Sequence, residues 1–172
     1  DLSIFVRFAN KLYKGNKYYV PSMPMDDLDT LNPKKNGAFE FCEAEYYLAY
    51  KDGKVAGRVA AIINHKANES WGVKQVRFGW FDFVDDIEVS KALLDAVIAF
   101  GKERGVNQIV GPLGFTDFDP EGMLVDGFDR ICTMALFHNH PYYPEHMKKH
   151  GYVKETGWLE YRLTIPAEVP DR

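Results

Sequence analysis

The stretch 75–114, QVRFGWFDFVDDIEVSKALLDAVIAFGKERGVNQIVGPLG, restricts the fold more than any other part of the chain. Residues 75–84 alternate: Val76, Phe78, Trp80, Asp82 and Val84 share one face of an extended chain, and Gln75, Arg77, Gly79, Phe81 and Phe83 the other. Aromatic side chains at this density suit a half-buried or buried strand. From Asp86 the period changes. Val89, Leu93, Val97 and Phe100 recur at helical spacing, with Leu94 and Ile98 beside them. Asp85 is placed to cap this helix, with Glu88 three residues on, and Gly105 follows Lys102 and Arg104 as its stop. Residues 108–110 make a short second strand ended by Gly111 and Pro112. A strand, a crossover helix and a strand imply parallel pairing with a right-handed crossover.

Around this unit the other segments fall into place. Leu2, Phe5, Val6, Ala9, Leu12 and Tyr13 trace one face of a first helix, ended by Gly15. Residues 17–37 hold three prolines and read as loop, with one helical turn near 26–31. Strands at 45–50 and 55–64 flank Asp52-Gly53, a strong hairpin signal. The polar segment 65–74 connects the hairpin to the organising strand. Residues 115–130 alternate acids with aromatics and read as a long ordered loop, 132–137 as strand or buried connection, and 141–150 as a helix ended by Gly151. Residues 152–165 read as one or two strands with Trp158, Tyr161 and Leu163 inward. The expectation is an α/β (α+β) domain, its sheet mixed but mainly antiparallel, with helices on both faces.

The order of these elements from 2 to 165 resembles the GNAT superfamily of acyl-CoA-dependent N-acyltransferases. The unit at 75–114 and the run HPYYPEHMKKHGYVKETGWLEYRL, with its Gly151-Tyr152 pair, carry the resemblance. A narrower one is to uncharacterised bacterial GNAT-like proteins with stretches like 111–117 (GPLGFTD) and 141–146 (PYYPEH), in which this domain begins a longer chain. The resemblance implies a single domain over 1–172 that lacks its first strand, as a fragment of a longer chain would. It implies acetyl-CoA or another acyl-CoA as acyl donor and a small amine as acceptor. It also implies a pyrophosphate loop before the central helix, here at Phe83, Val84 and Asp85. The alternative is a degenerate GNAT-fold module without catalysis, paired with a second GNAT-like domain or in a homodimer.

Individual residues sharpen both options. Asp82 is the charged residue on the 76–84 face, near where the family places the reacting acyl group, and is either a base toward an amine or a turn residue bonded to its loop. In the family a tyrosine four residues before the Gly-aromatic pair protonates the leaving thiolate. That position is Met147, and Tyr143, one turn back, is the substitute candidate or a packing residue. Trp80, Asp117 and Asp119 are candidates for holding a cationic amine, with the acids equally readable as a solvated loop. The segment 81–88 contains no glycine and at least three carboxylates, Asp85, Asp86 and Glu88. These stabilise a helix N-terminus but repel a pyrophosphate.

Composition excludes other classes. The net charge is −4 and both signs are spread along the chain, so no basic tract offers nucleic acid or an anionic membrane a surface. No apolar run approaches the roughly 20 residues of a membrane span. Cys42 and Cys132 read as free thiols of a reducing, cytoplasmic compartment. Four histidines, His138, His140, His146 and His150, lie close in sequence but lack a cysteine pair or a His-Glu-x-x-His signature, so no metal is expected.

Overall fold

The computed structural model describes residues 2–132, 138–161 and 163–165. Helices α1 (Leu2–Leu12) and α2 (Pro24–Thr30) and a 3-10 turn (Gly37–Glu40) precede strands β1 (Cys42–Lys51) and β2 (Lys54–Asn64). Then come α3 (His65–Trp71), β3 (Gln75–Phe83), α4 (Ile87–Glu103), β4 (Gln108–Val110) and α5 (Tyr142–Lys149). The sheet runs β1-β2-β3-β4: the first two pairings are antiparallel and β3–β4 is parallel, Gln75 opposite Gln108 and Arg77 opposite Val110. The expected mixed sheet and crossover are therefore present. The β1–β2 turn uses positive φ at both Asp52 (51°) and Gly53 (73°), which is what a two-residue hairpin turn requires.

One core lies on each face of the sheet. Val59, Ala61 and Ile63 of β2 meet Val89, Leu93, Leu94, Val97 and Phe100 of α4. Ala60 and Ile62 meet Phe5 and Val6 of α1, with Leu31 and Phe115. Each Val, Leu, Ile or Phe side chain so buried is worth about 1.5–3 kcal/mol relative to leaving it exposed. The alternation along β2 thus decides which helix each residue supports.

In β3 the alternation breaks. Ala60 faces Gly79, but Arg58 faces Asp82, so Trp80 and Phe81 together oppose Val59. This is a β-bulge, and Trp80 takes φ 45° to make it. The extra residue reverses the faces. Val76 and Phe78 before the bulge join Phe81 and Phe83 after it in the core under α4, while Trp80 joins the core under α1. The single apolar face from Val76 through Trp80 and Asp82 to Val84, expected from strict alternation, is therefore corrected.

Other boundaries also move. The N-cap of α4 is Asp86, not Asp85: its Oδ1 accepts from Glu88 N at 3.0 Å and Val89 N at 3.4 Å. Asp86 is the residue with extended φ/ψ (−147°, 117°) beside the first turn, which is what a cap needs. The connection 65–74 contains α3, capped by Asn64, whose side chain accepts from Ala67 N. Residues 133–137 lie outside the described part, and with them most of the strand or connection expected at 132–137. Among the described residues of 152–165 there is no strand, and Trp158, Tyr161 and Leu163 are exposed rather than inward. An extended segment becomes a strand only by pairing, and no neighbour among the described residues supplies the ladder.

Candidate active site

The site forms where the bulge opens β3. Arg58 and Asp82 stand directly opposite on β2 and β3. Asp82 Oδ2 accepts from Arg58 Nε and Nη2, both at 2.8 Å. Arg58 is 3% exposed and spends Nη1 on the carbonyls of Phe5 and Val6 at the middle of α1. A guanidinium this deep is tolerated because its donors all meet acceptors. Asp82 Oδ1 faces two phenols, Tyr13 Oη at 3.3 Å and Tyr143 Oη at 3.4 Å, which are 2.8 Å from each other. Tyr143 Oη also accepts from Phe83 N at 3.1 Å. Burial, and then the Asp82 charge, push both phenols far above the usual tyrosine range, so each keeps its proton.

A cleft lies over this cluster. Trp80, Asp82, Met123, His138, Asn139 and Tyr143 are among its walls, and its interior space is about 20 Å³, enough for roughly one water. The far wall is held by backbone contacts. Leu113 N donates to Phe78 O at 2.8 Å and Gly122 N to Pro112 O at 2.9 Å. A Cβ on Gly79 would sit 2.5 Å from Leu113 O, so only glycine lets this segment cross β3. Asn139 locks the loop above, its Oδ1 accepting from Leu124 N at 2.6 Å and its Nδ2 donating to Leu124 O at 3.0 Å.

The sequence candidates separate on this geometry. Asp82, Tyr143 and Trp80 come together at the cleft. Asp82 is not an isolated carboxylate on an apolar face; it is half of an ion pair. Trp80 Nε1 points to Asp27 Oδ1 at 3.3 Å. Asp117 is exposed, and Asp119 accepts from Thr116 N at 2.9 Å within its own loop; neither lines the cleft. Burial raises the Asp119 carboxyl above its ordinary value. Phe115 is fully buried and Phe118 fully exposed.

The segment proposed for a pyrophosphate has the amides of Phe83 and Val84 engaged. Phe83 N bonds Tyr143, Val84 N bonds Ala56 O at 2.9 Å, and Asp86 N bonds Val84 O at 2.6 Å. The amides of Glu88 and Val89 are held by Asp86. Lys51 pairs with Asp86, and Asp85 Oδ1 bonds His146 Nε2 at 3.0 Å. Two amides of the helix N-terminus are thus capped by the chain's own Asp86 carboxylate.

The histidines form two separate groups. His138 and His140 pack edge-on and stacked against Tyr13. His146 Nδ1 and His150 Nε2 both reach Ser90 Oγ at 2.8 Å, tying α5 to α4. Among the described residues no three His, Cys, Asp or Glu side chains converge as a metal site.

Sequence reasoning missed Arg58, Tyr13 and His138. A signal for the first existed: Arg58 is the one charge within the apolar run 55–63, and Asp82 is a lone acid in the next apolar strand. Lone opposite charges in neighbouring antiparallel strands call for each other. Tyr13 and His138 carried no local signal.

Comparison with known proteins places this geometry. No family model matches the chain. The chain is 30% identical over 154 residues to protein YghO of Escherichia coli, covering 90% of this chain and 39% of that protein. It is 26% identical over 172 residues to the bacterial ceramide synthase of Caulobacter vibrioides, covering 99% of this chain and 45% of that one. The chain therefore spans about two fifths of the length of these relatives. A predicted acetyltransferase of Clostridium acetobutylicum, solved with acetyl-CoA, superposes with a TM-score of 0.51 at 14% identity, covering 94% of this chain and 88% of that one. By that likeness, and by its own mixed sheet with a crossover helix between two parallel strands, the chain has the fold of the GNAT superfamily of acyl-CoA N-acyltransferases.

Proposed function

We propose that this domain transfers an acyl group from an acyl-CoA to an amine at the mouth of the cleft at the β3 bulge. The observation that carries the reading is the Arg58–Asp82–Tyr13–Tyr143 cluster, which sets a carboxylate and two protonated phenols beneath a cleft of that fold. In the transfer the amine nitrogen attacks the thioester carbonyl carbon. The C–S bond breaks with its electron pair on sulfur, and the proton lost by nitrogen ends on the thiolate. Asp82 Oδ1 is the group placed to take that proton from nitrogen. Tyr143 keeps its own proton and serves as a hydrogen-bond donor toward sulfur, not as a full acid. One relative is named for making ceramide, an amide of a long-chain amine, which makes long-chain amino alcohols the first acceptors to try.

The pyrophosphate of an acyl-CoA is disfavoured at Phe83, Val84 and Asp85, because the amides of Phe83 and Val84 are engaged and the flanking side chains are acidic. S-acetylpantetheine, which lacks the pyrophosphate, should therefore bind at least as well as acetyl-CoA when both are titrated by calorimetry. Turnover is tested with Asp82→Asn in an Arg58→Met background, since Asp82→Asn alone strands a buried guanidinium. The double variant should fold and lose about 100-fold or more in rate. Full activity in it would assign Asp82 to structure.

The satisfied α4 N-terminus favours a second reading: a GNAT-fold module that binds no acyl-CoA and works beside a second, competent domain or a second copy. Proteins of the length of its relatives have room for one. No binding of either thioester would establish it over the first.

A further inference from the structure

The cleft holds one hydrogen-bonding atom that the fold leaves unused. His138 is 7% exposed and lines the cleft, and its Nδ1 has no partner among the described residues. Its other nitrogen, Nε2, lies 2.9 Å from Asn16 Nδ2. Which of those two atoms donates is settled by the next bond: Asn16 Oδ1 accepts from Tyr18 N at 2.9 Å. Turning the Asn16 amide over would set its NH₂ against the Tyr18 amide, donor facing donor. Asn16 Nδ2 is therefore the donor and His138 Nε2 the acceptor. A neutral imidazole carries one proton, and here that proton is on Nδ1. Burial and then His140 hold the ring below the ordinary histidine range, in keeping with a neutral ring.

His138 thus holds a fixed N–H donor in the wall of the cleft. Its orientation is held by Asn16 on one side and by the edge-on Tyr13 ring, 6.0 Å between centroids, on the other. The following residue, Asn139, is pinned to both backbone atoms of Leu124, so the main chain cannot easily carry the ring away. A desolvated N–H without an acceptor is a net loss to the folded state. Such atoms persist where an acceptor arrives later. The space, about 20 Å³, suits a single oxygen atom rather than a whole ligand.

We infer that His138 Nδ1–H is the hydrogen-bond donor to the acyl carbonyl oxygen, a role that rests on the acyl-transfer reading. When the amine attacks, that oxygen gains negative charge as the C–O π pair moves onto it, and the pair returns when the C–S bond breaks. A donor already aimed at this oxygen strengthens its bond as the charge grows and needs no reorganisation. The same cleft then divides its work: Asp82 receives the proton of the nitrogen, and His138 steadies the oxygen.

Two measurements test this. In the parent protein, long-range ¹⁵N–¹H spectra of the His138 ring should show the Nδ1–H tautomer; the Nε2–H tautomer would overturn the assignment. Then S-acetylpantetheine and acetyl-CoA, each ¹³C-labelled at the carbonyl, are added at concentrations that saturate by calorimetry. The carbonyl resonance should move downfield on binding to the parent. It should keep most of that shift with His138→Asn, whose amide N–H can stand near the Nδ1 position, and lose it with His138→Leu. Once an acceptor amine is found, His138→Leu should lower kcat by about 10²–10³-fold with little change in KM. Thioester binding with an unshifted carbonyl, or a shift that survives in His138→Leu, would show that His138 is not the donor and would overturn the inference alone. Failure of the parent to bind either thioester would overturn the acyl-transfer reading and the inference with it. If His138→Leu does not fold by circular dichroism, the tautomer and the His138→Asn spectrum decide.

Discussion

The cleft at the bulge and the N-terminus of α4 stand at the two ends of one short connection, residues 82–87, and they treat polar groups in opposite ways. At the cleft end a carboxylate is matched by a guanidinium and two phenols, and one imidazole N–H is left over. At the helix end the amides of Asp86, Glu88 and Val89 are taken by the chain itself, and the added charges are negative. The difference teaches where this GNAT-fold domain can receive a ligand. An unfilled donor in a buried cleft invites an oxygen. A helix N-terminus whose Glu88 and Val89 amides are already capped by Asp86, with Asp85 and Glu88 beside it, has lost those donors for a phosphate and repels one.

The comparison breaks most visibly if its cleft end is disarmed. Arg58→Met leaves Asp82 without its counter-charge and should cost about 3–5 kcal/mol in urea unfolding. Arg58→Met with Asp82→Leu should recover at least half of that, because the uncompensated charge goes too. A cost below about 1 kcal/mol for the single change would mean that water reaches the pair and that the cleft is not the desolvated site described.

The helix end is sharpened by removing charge and sparing the cap. Asp85→Asn with Glu88→Gln should raise acetyl-CoA affinity by about 2–5-fold per carboxylate, from the loss of like-charge repulsion at roughly 4–8 Å in a watery setting. The gain should fade in high salt, and S-acetylpantetheine should show none of it. Adding Asp86→Gly frees the amides of Glu88 and Val89 and should extend the gain only where circular dichroism shows α4 intact. Calorimetry that finds no change in acetyl-CoA binding would place the pyrophosphate away from this helix altogether.

The smallest effect is on pH dependence, and it separates the two histidine groups. His138, His140 and His150 are each lowered from 6.5 chiefly by burial. Groups depressed in the fold stabilise it while neutral. Their contribution is complete above pH 6.5 and is lost as pH falls through the folded values. Urea midpoints should therefore fall from pH 7.5 to pH 5. His150→Gln should remove the part of that slope belonging to the α4–α5 contact, and leave the part belonging to the cleft. A flat profile in the parent would mean that these rings are open to water.

Much of the frame was legible because it is local. Asp52-Gly53 makes its turn from two positive φ angles, whatever surrounds it. The apolar residues of α4 recur at helical spacing in the chain itself, and Gly105 ends the helix with φ 71°. The crossover then leaves parallel pairing of β3 and β4 as the simple outcome. The cap was placed one residue early because Asp85 and Asp86 are chemically the same, and only backbone geometry tells them apart. The inward strand expected at 152–165 was misread for a related reason: apolar side chains announce a wish for burial, not the presence of a partner.

What the sequence determined by itself is the order of elements, the hairpin, the crossover helix and the acidity of that helix's N-terminus, since each follows from neighbours along the chain. Tertiary structure alone decided the partners of the individual polar residues. The bulge at Trp80 exists because β3 must fit both β2 and the segment crossing Gly79, and it carries Asp82 to the face where Arg58 waits. Tyr13 and Tyr143, 130 positions apart, share one hydrogen bond. The proton on His138 is assigned by Asn16, and Asn16 by Tyr18. A hydrogen bond depends on positions in space, and for these residues the spacing along the chain carries no trace of it.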